Sequence, residues 1–213
     1  MHLVHASRLA LAEALLAAGP SADTLCAGWE TRHLAAHLVL RENSPLGAGA
    51  VLKPLSGKLD AKIKKLADEA QRPESYAGLV RRFRTGPSKY SPFSIERVST
   101  AANMSEFFIH TEDVRRARTQ WAPRILDRGY TEMLWNDLTR RARMYYRHCP
   151  VGVILARPDG KRHVAKKAAN PVTITGPVTE LIMHASGRID SALVTFEGSD
   201  ESIKALKKTK LGF

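Results

Sequence analysis

The chain has 213 residues, 44% hydrophobic and 25% charged, and its 33 Lys and Arg against 21 Asp and Glu give a formal net charge of +12. That length means one large domain or two small ones. The balance of residue types is that of a globular protein and excludes collagen-like, mucin-like and wholly disordered chains. No apolar run reaches the roughly 18 residues of a membrane span, since the longest, Leu9–Gly19, is interrupted by Glu13.

In chain order, Leu3, Leu9, Leu11, Leu15 and Leu16 predict a first helix over residues 2–18, stopped by Gly19-Pro20. With no basic n-region before it, this segment reads as structure and not as a signal peptide. A second helix is expected from Thr31, as N-cap, through Arg41, ended by Asn43-Ser44-Pro45 and the glycines Gly47 and Gly49. A third fits 55–71 and a short fourth fits 75–84. A long helix covers 95–118 on Val98, Ala101, Met104, Phe107, Phe108 and Val114, and Trp121-Ala122-Pro123 breaks it. The last long helix runs from 125 to 148. At Pro150 the texture changes. Strands are expected at 151–156, 163–166, 172–175 and 192–196, with helices at 177–186 and 200–207, and Pro158-Asp159-Gly160 marks a turn. The resulting expectation is an α+β protein, with a helical bundle over 1–149 and a small α+β domain over 150–213. Some sixty residues make a marginal independent core, so the second part is expected to pack on the first.

The basic excess is uneven. Residues 1–50 are net −1, 51–100 net +6, 101–150 net +3 and the remainder net +4. It peaks between Lys53 and Arg84, where the lysines sit at helical spacing around apolar residues, as in Lys58-Leu59-Lys62-Ile63-Lys65-Leu66. Such a field attracts nucleic acid, anionic membrane or anionic substrates. No aromatic interleaving and no nucleic-acid motif accompanies it, so a solvated helix face is expected. Cys26 and Cys149 are too few for a disulfide framework, which points to a reduced, cytoplasmic protein. Cys26 reads as a small buried hydrophobe, with a thiol activated by a helix N-terminus as the alternative. Cys149 is flanked by His148, which a helix points elsewhere.

The segment that carries chemistry is Asn103-Met104-Ser105-Glu106-Phe107-Phe108-Ile109-His110-Thr111-Glu112-Asp113. Glu106 and His110 are four apart, hence on one helical face, and Asn103 and Asp113 extend that polar stripe within apolar surroundings. A carboxylate and an imidazole projecting together suit a divalent metal, zinc foremost, and a catalytic zinc site takes three protein ligands and an open position. A plain Glu–His hydrogen bond is the alternative role. The third ligand is expected from another helix. His37, in the apolar stretch 34–39, is the best candidate, while His33 four residues earlier offers a rival His33–His37 pair.

The pieces Leu25-Cys26-Ala27-Gly28-Trp29, Leu34-Ala35-Ala36-His37-Leu38 and Glu106-Phe107-Phe108-Ile109-His110 resemble the DinB-like metal-binding superfamily. Within it they look most like the mycothiol-dependent maleylpyruvate isomerase group of actinobacterial proteins. Glu112-Asp113-Val114-Arg115-Arg116-Ala117 and Trp121-Ala122-Pro123-Arg124 look like an uncharacterised metal-binding branch of that group. Val172–Pro177, with Glu180-Leu181 and Gly187-Arg188, resembles the small α/β domain these proteins carry. The resemblance implies a DinB-like four-helix bundle whose divalent metal is held by His37, Glu106 and His110, and a metal-dependent enzyme of transferase or isomerase type using mycothiol or a similar thiol. The branch usually has an acidic residue where His33 stands, and often a His where Thr111 stands. Arg41, Arg115 and Arg188 are the candidates for holding an anionic substrate. The expected partners are a small thiol and that substrate, without sequence-specific nucleic acid or membrane, in a monomer or homodimer. A non-catalytic metal-binding module and a basic nucleic-acid-associated protein are the rival functions.

Overall fold

The computed structural model describes residues 3–44 and 56–212. The expected helix stop at Pro45, Gly47 and Gly49, together with Lys53 and Leu55, lies outside them. Two compact units divide the chain, Met1–Ala122 and Pro123–Phe213.

Among its described residues the first unit holds α1 (Leu3–Ala18), α2 (Thr31–Asn43), α3 (Ser56–Glu69), α4 (Pro73–Thr85) and α5 (Glu96–Arg116), with a 3-10 turn at Pro92–Ser94. Apolar residues at three- and four-residue spacing build one core: Leu11, Ala12 and Leu15 of α1, Leu34, Leu38 and Val39 of α2, Ile63 and Ala67 of α3, Val80 and Phe83 of α4, and Met104, Phe107 and Phe108 of α5. Helix α1 packs along α5 and α4, and α2 along α3 and α4. The Phe83 and Phe107 rings meet edge to face, centroids 5.3 Å apart, a favoured aromatic geometry. Pro73 stands at the start of α4, where a missing N–H costs nothing, and Gly86 with φ +97° ends it. Glu30, not Thr31, is the N-cap of α2. Helix α3 turns Leu59, Ile63 and Ala67 inward and leaves Lys58, Lys62, Lys64 and Lys65 exposed.

The second unit opens with α6 (Arg128–Tyr145), followed by β1 (Val153–Ala156), β2 (Arg162–Lys166), β3 (Val172–Thr175), α7 (Val178–Ala185), β4 (Thr195–Glu197) and α8 (Asp200–Lys207). The sheet order is β2-β1-β3-β4. β1 pairs antiparallel with β2 and parallel with β3, and β3 antiparallel with β4. Helix α7 is buried along its whole length. It ends at Gly187, φ +88°, where Arg188 N–H donates to the Met183 carbonyl at 3.0 Å and Gly187 N–H to that of His184 at 3.0 Å. This closing motif needs a left-handed residue, and a Cβ on Gly187 would lie 2.9 Å from the Leu211 carbonyl oxygen.

The architecture is mixed α+β, as expected, but the boundary falls after residue 122 instead of 149. Helix α6 packs on α7 and β2, so it belongs with the sheet and not with a bundle over 1–149. Glu132 of α6 pairs with Arg157 and Lys161, both at 2.8 Å, and the Arg157 guanidinium lies 5.5 Å from the Trp135 ring centre. The physical reason is that a four-stranded sheet of three- to five-residue strands cannot bury its own apolar face, and α6 covers part of it.

Candidate metal centre

Helices α2 and α5 supply three side chains that converge in the first unit; a second group, Cys26, His110 and Asp113, shares His110 and is equally close-set. His37 Nε2 and His110 Nε2 each lie 3.2 Å from the same atom, Glu106 Oε1. The ligand atoms of the three residues all fall within 4.8 Å of one another. The two imidazoles meet edge to face, ring centroids 5.3 Å apart. Two ligands about 2.0–2.1 Å from a tetrahedral ion lie about 3.3 Å apart, so both Nε2–Oε1 separations match an edge of such a site. Two imidazoles and one carboxylate are also a donor set that a divalent ion such as zinc accepts. The side chains retain 16%, 22% and 10% exposure at His37, Glu106 and His110, which leaves an approach from solvent on the His37–Glu106 side.

Charge is arranged around Glu106. Burial pushes its carboxyl up, but Arg41 and the hydrogen bonds from His110 and His37 outweigh this and hold it well below the usual carboxylate range. Burial lowers His110 too, yet Asp113, Cys26 and Glu106 together keep its imidazole well above its ordinary value. In His37 burial wins over the Glu106 hydrogen bond and moves the imidazole below its ordinary value.

A polar chain runs out from the site on both sides. Arg41 Nε lies 3.0 Å from Glu106 Oε1; its guanidinium also donates to Asn103 Oδ1 and, at 3.0 Å, to the Ala102 carbonyl, and it faces the Phe93 ring. Asn103 Nδ2 donates to Glu42 Oε1 at 2.7 Å, and Glu42 takes both ends of the Arg8 guanidinium at 2.5 and 2.6 Å. On the other side His110 Nδ1 meets Asp113 Oδ2 at 2.8 Å, and Cys26 Sγ donates to that same oxygen at 3.2 Å.

Of the residues expected at a site, His37, Glu106, His110 and Arg41 come together. Arg115 does not: it donates to Glu112 at 2.9 Å and to the Ala122 carbonyl at 3.1 Å. Five residues on a helix with 3.6 per turn carry it well round from His110. Arg188 belongs to the second unit, where it donates to the Ser186 carbonyl at 2.8 Å. His33 Nδ1 accepts the Glu30 N–H at 3.3 Å and so helps to cap α2, and it lies outside the converging triad. Cys26 is partly buried and hydrogen-bonded, in contrast to the expected buried apolar filler, whereas Cys149 is fully buried. Sequence reading missed the Arg8–Glu42 pair and the contact of Trp29, quoted in the Leu25–Trp29 motif, with His37, their rings 5.3 Å apart; an Arg on the apolar face of α1 was the available signal for the former. No family model matches the chain, and neither a curated protein nor a solved structure matches it.

Proposed function

We propose that the protein binds one divalent metal, zinc foremost, through His37, Glu106 and His110, and that it is a metal-dependent enzyme of transferase or isomerase type using mycothiol or a similar low-molecular-weight thiol. The observation that carries the metal reading is the equal 3.2 Å approach of two imidazole Nε2 atoms to a single Glu106 oxygen. The thiol reading rests on the similarity of the motifs around Trp29, His37 and Glu106–His110 to the DinB-like, mycothiol-dependent isomerase group. On this reading the first unit is a variant of the DinB-like bundle.

A bound divalent ion would supply Lewis acidity, lowering the pKa of a coordinated water or thiol toward neutrality. The chain's own residues do the rest. Asp113 receives His110 Nδ1–H and turns Nε2 toward the ligand position, a second-layer contact that fixes ring and tautomer. Arg41 offsets the charge of Glu106 and restrains its carboxylate. An anionic substrate would be drawn by the guanidinium at the same mouth. Calorimetric titration of the zinc-loaded protein with mycothiol tests the thiol reading. Saturable binding that disappears in the metal-free protein supports it, and equal or absent binding in both forms contradicts it.

A further inference from the structure

One loop touches both imidazoles of the triad. Residues 24–29 close on themselves: Thr24 Oγ1 donates to the Trp29 carbonyl at 2.7 Å, Cys26 N–H to Thr24 Oγ1 at 3.2 Å and Trp29 N–H to the Cys26 carbonyl at 2.9 Å. Leu25 N–H donates to the Asp113 carbonyl at 3.1 Å and fastens the loop to the end of α5. From this loop Trp29 lies against His37. Cys26 places its thiol proton on the Asp113 oxygen that also holds His110 Nδ1. Asp113 is wholly buried, while Cys26 is only partly buried.

We propose that Cys26 is a positioning residue of the metal centre and the point at which a small thiol-reactive molecule changes its metal affinity, acting through Asp113 on His110. This rests on the reading of His37, Glu106 and His110 as the ligands. A carboxylate behind a metal-bound imidazole fixes ring orientation and tautomer, and loss of such a partner costs about 10- to 100-fold in metal affinity. Here the thiol steadies that carboxylate. When Cys26 reacts with a small disulfide, its sulfur bonds to one reagent sulfur, the reagent S–S bond breaks, the other sulfur leaves as thiolate and the thiol proton passes to solvent. The hydrogen-bond donor is then gone, and the added group must fit between the loop and α5. The loop moves, and with it the supports of both imidazoles. By linkage, a bound metal must in turn disfavour the modified state. Cys149, fully buried, is shielded from the same reagents.

The test is a cobalt(II) titration, followed by optical spectroscopy, of the full chain as wild type, Cys26→Ser, Cys26→Ala and wild type treated with methyl methanethiosulfonate. The wild type is expected to bind one equivalent without a sulfur-to-cobalt charge-transfer band. Cys26→Ala should bind about 10-fold more weakly. Cys26→Ser, which keeps a donor, should restore affinity to within about threefold of wild type and recover the wild-type cobalt spectrum. The treated protein should lose about 10-fold or more and recover on reduction with a thiol. Thermal unfolding of the metal-free proteins separates these effects from loss of fold. Unchanged affinity in Cys26→Ala overturns the proposal, and so does a charge-transfer band, which would make Cys26 a ligand. A wild type that binds no cobalt overturns the ligand assignment itself, and the proposal with it.

Discussion

Glu106 Oε1 gathers three donors, from His37, His110 and Arg41, and in a metal centre the ion takes the place of the protons shared between carboxylate and imidazoles. His37→Ala or His110→Ala should therefore abolish tight metal binding, while His33→Ala, whose ring caps α2, should retain the full equivalent. Metal content of the three variants decides this, and equal loss in His33→Ala would make the His33–His37 pair the site. Behind the centre, Arg8 and Glu42 are only 5% and 2% exposed. Arg8→Met leaves Glu42 a buried charge with Asn103 as its remaining side-chain donor among the hydrogen bonds described above, and should cost about 3–5 kcal/mol of stability. Urea unfolding at pH 7 measures it, and a loss below about 1 kcal/mol would contradict the pairing. The triad was legible in the sequence because Glu106 and His110 are one helical turn apart and His37 sits in an apolar run. The role of Cys26 was not, because its partner Asp113 is 87 residues away, and no local period reports such a contact. Arg115, five residues beyond His110 and so well round the helix from it, pairs with Glu112 and the Ala122 carbonyl, contacts that nearness in sequence does not report.

At the scale of elements, Gly-Pro and Pro punctuation placed most helix ends within a few residues. Helix α6 was assigned to the wrong partner because an amphipathic stripe shows that a face is buried but not against what. Its C-terminal end leads into a buried cluster in the second unit. Tyr146 OH and His184 Nδ1 lie 3.0 Å apart, their rings stack, and Phe196 packs on His184. Burial lowers His184 from 6.5 to about 4. Because its folded pKa lies below the unfolded value, its neutral form stabilises the fold fully above about pH 6.5, and this contribution is lost as pH falls from there toward 4. The loss amounts to about 3 kcal/mol at about 1.4 kcal/mol per unit. The double variant His184→Phe/Tyr146→Phe removes donor and acceptor together, which can be nearly neutral at pH 7, and should flatten that part of the stability profile. Denaturation midpoints at pH 7, 6, 5 and 4 provide the check. A slope in the double variant equal to wild type would place the pH sensitivity elsewhere.

For the whole molecule, the division into two units and the +12 charge set the expectations. No helix among the described residues is long and apolar enough to cross a membrane. The densest basic helix, α3, carries exposed lysines interleaved with Asp60, Asp68 and Glu69, and Lys64 pairs with Asp68 at 2.8 Å. A face of mixed sign suits solubility and loose anion attraction better than base readout. Binding to duplex DNA should be weak, fall at least about tenfold between roughly 50 and 200 mM salt, and show no sequence preference. Fluorescence anisotropy with one sequence and a scrambled competitor tests this, and discrimination of about 10³ or more at physiological salt would contradict it.

The central claim is that three side chains from two helices of the first unit form a centre for one divalent metal. Elemental analysis of protein purified without a metal-affinity tag, then dialysed against zinc and freed of excess, tests it most directly. One equivalent per chain is expected in the wild type and none in His37→Ala or His110→Ala. A wild type that retains no metal, or variants that retain as much as the wild type, would contradict it.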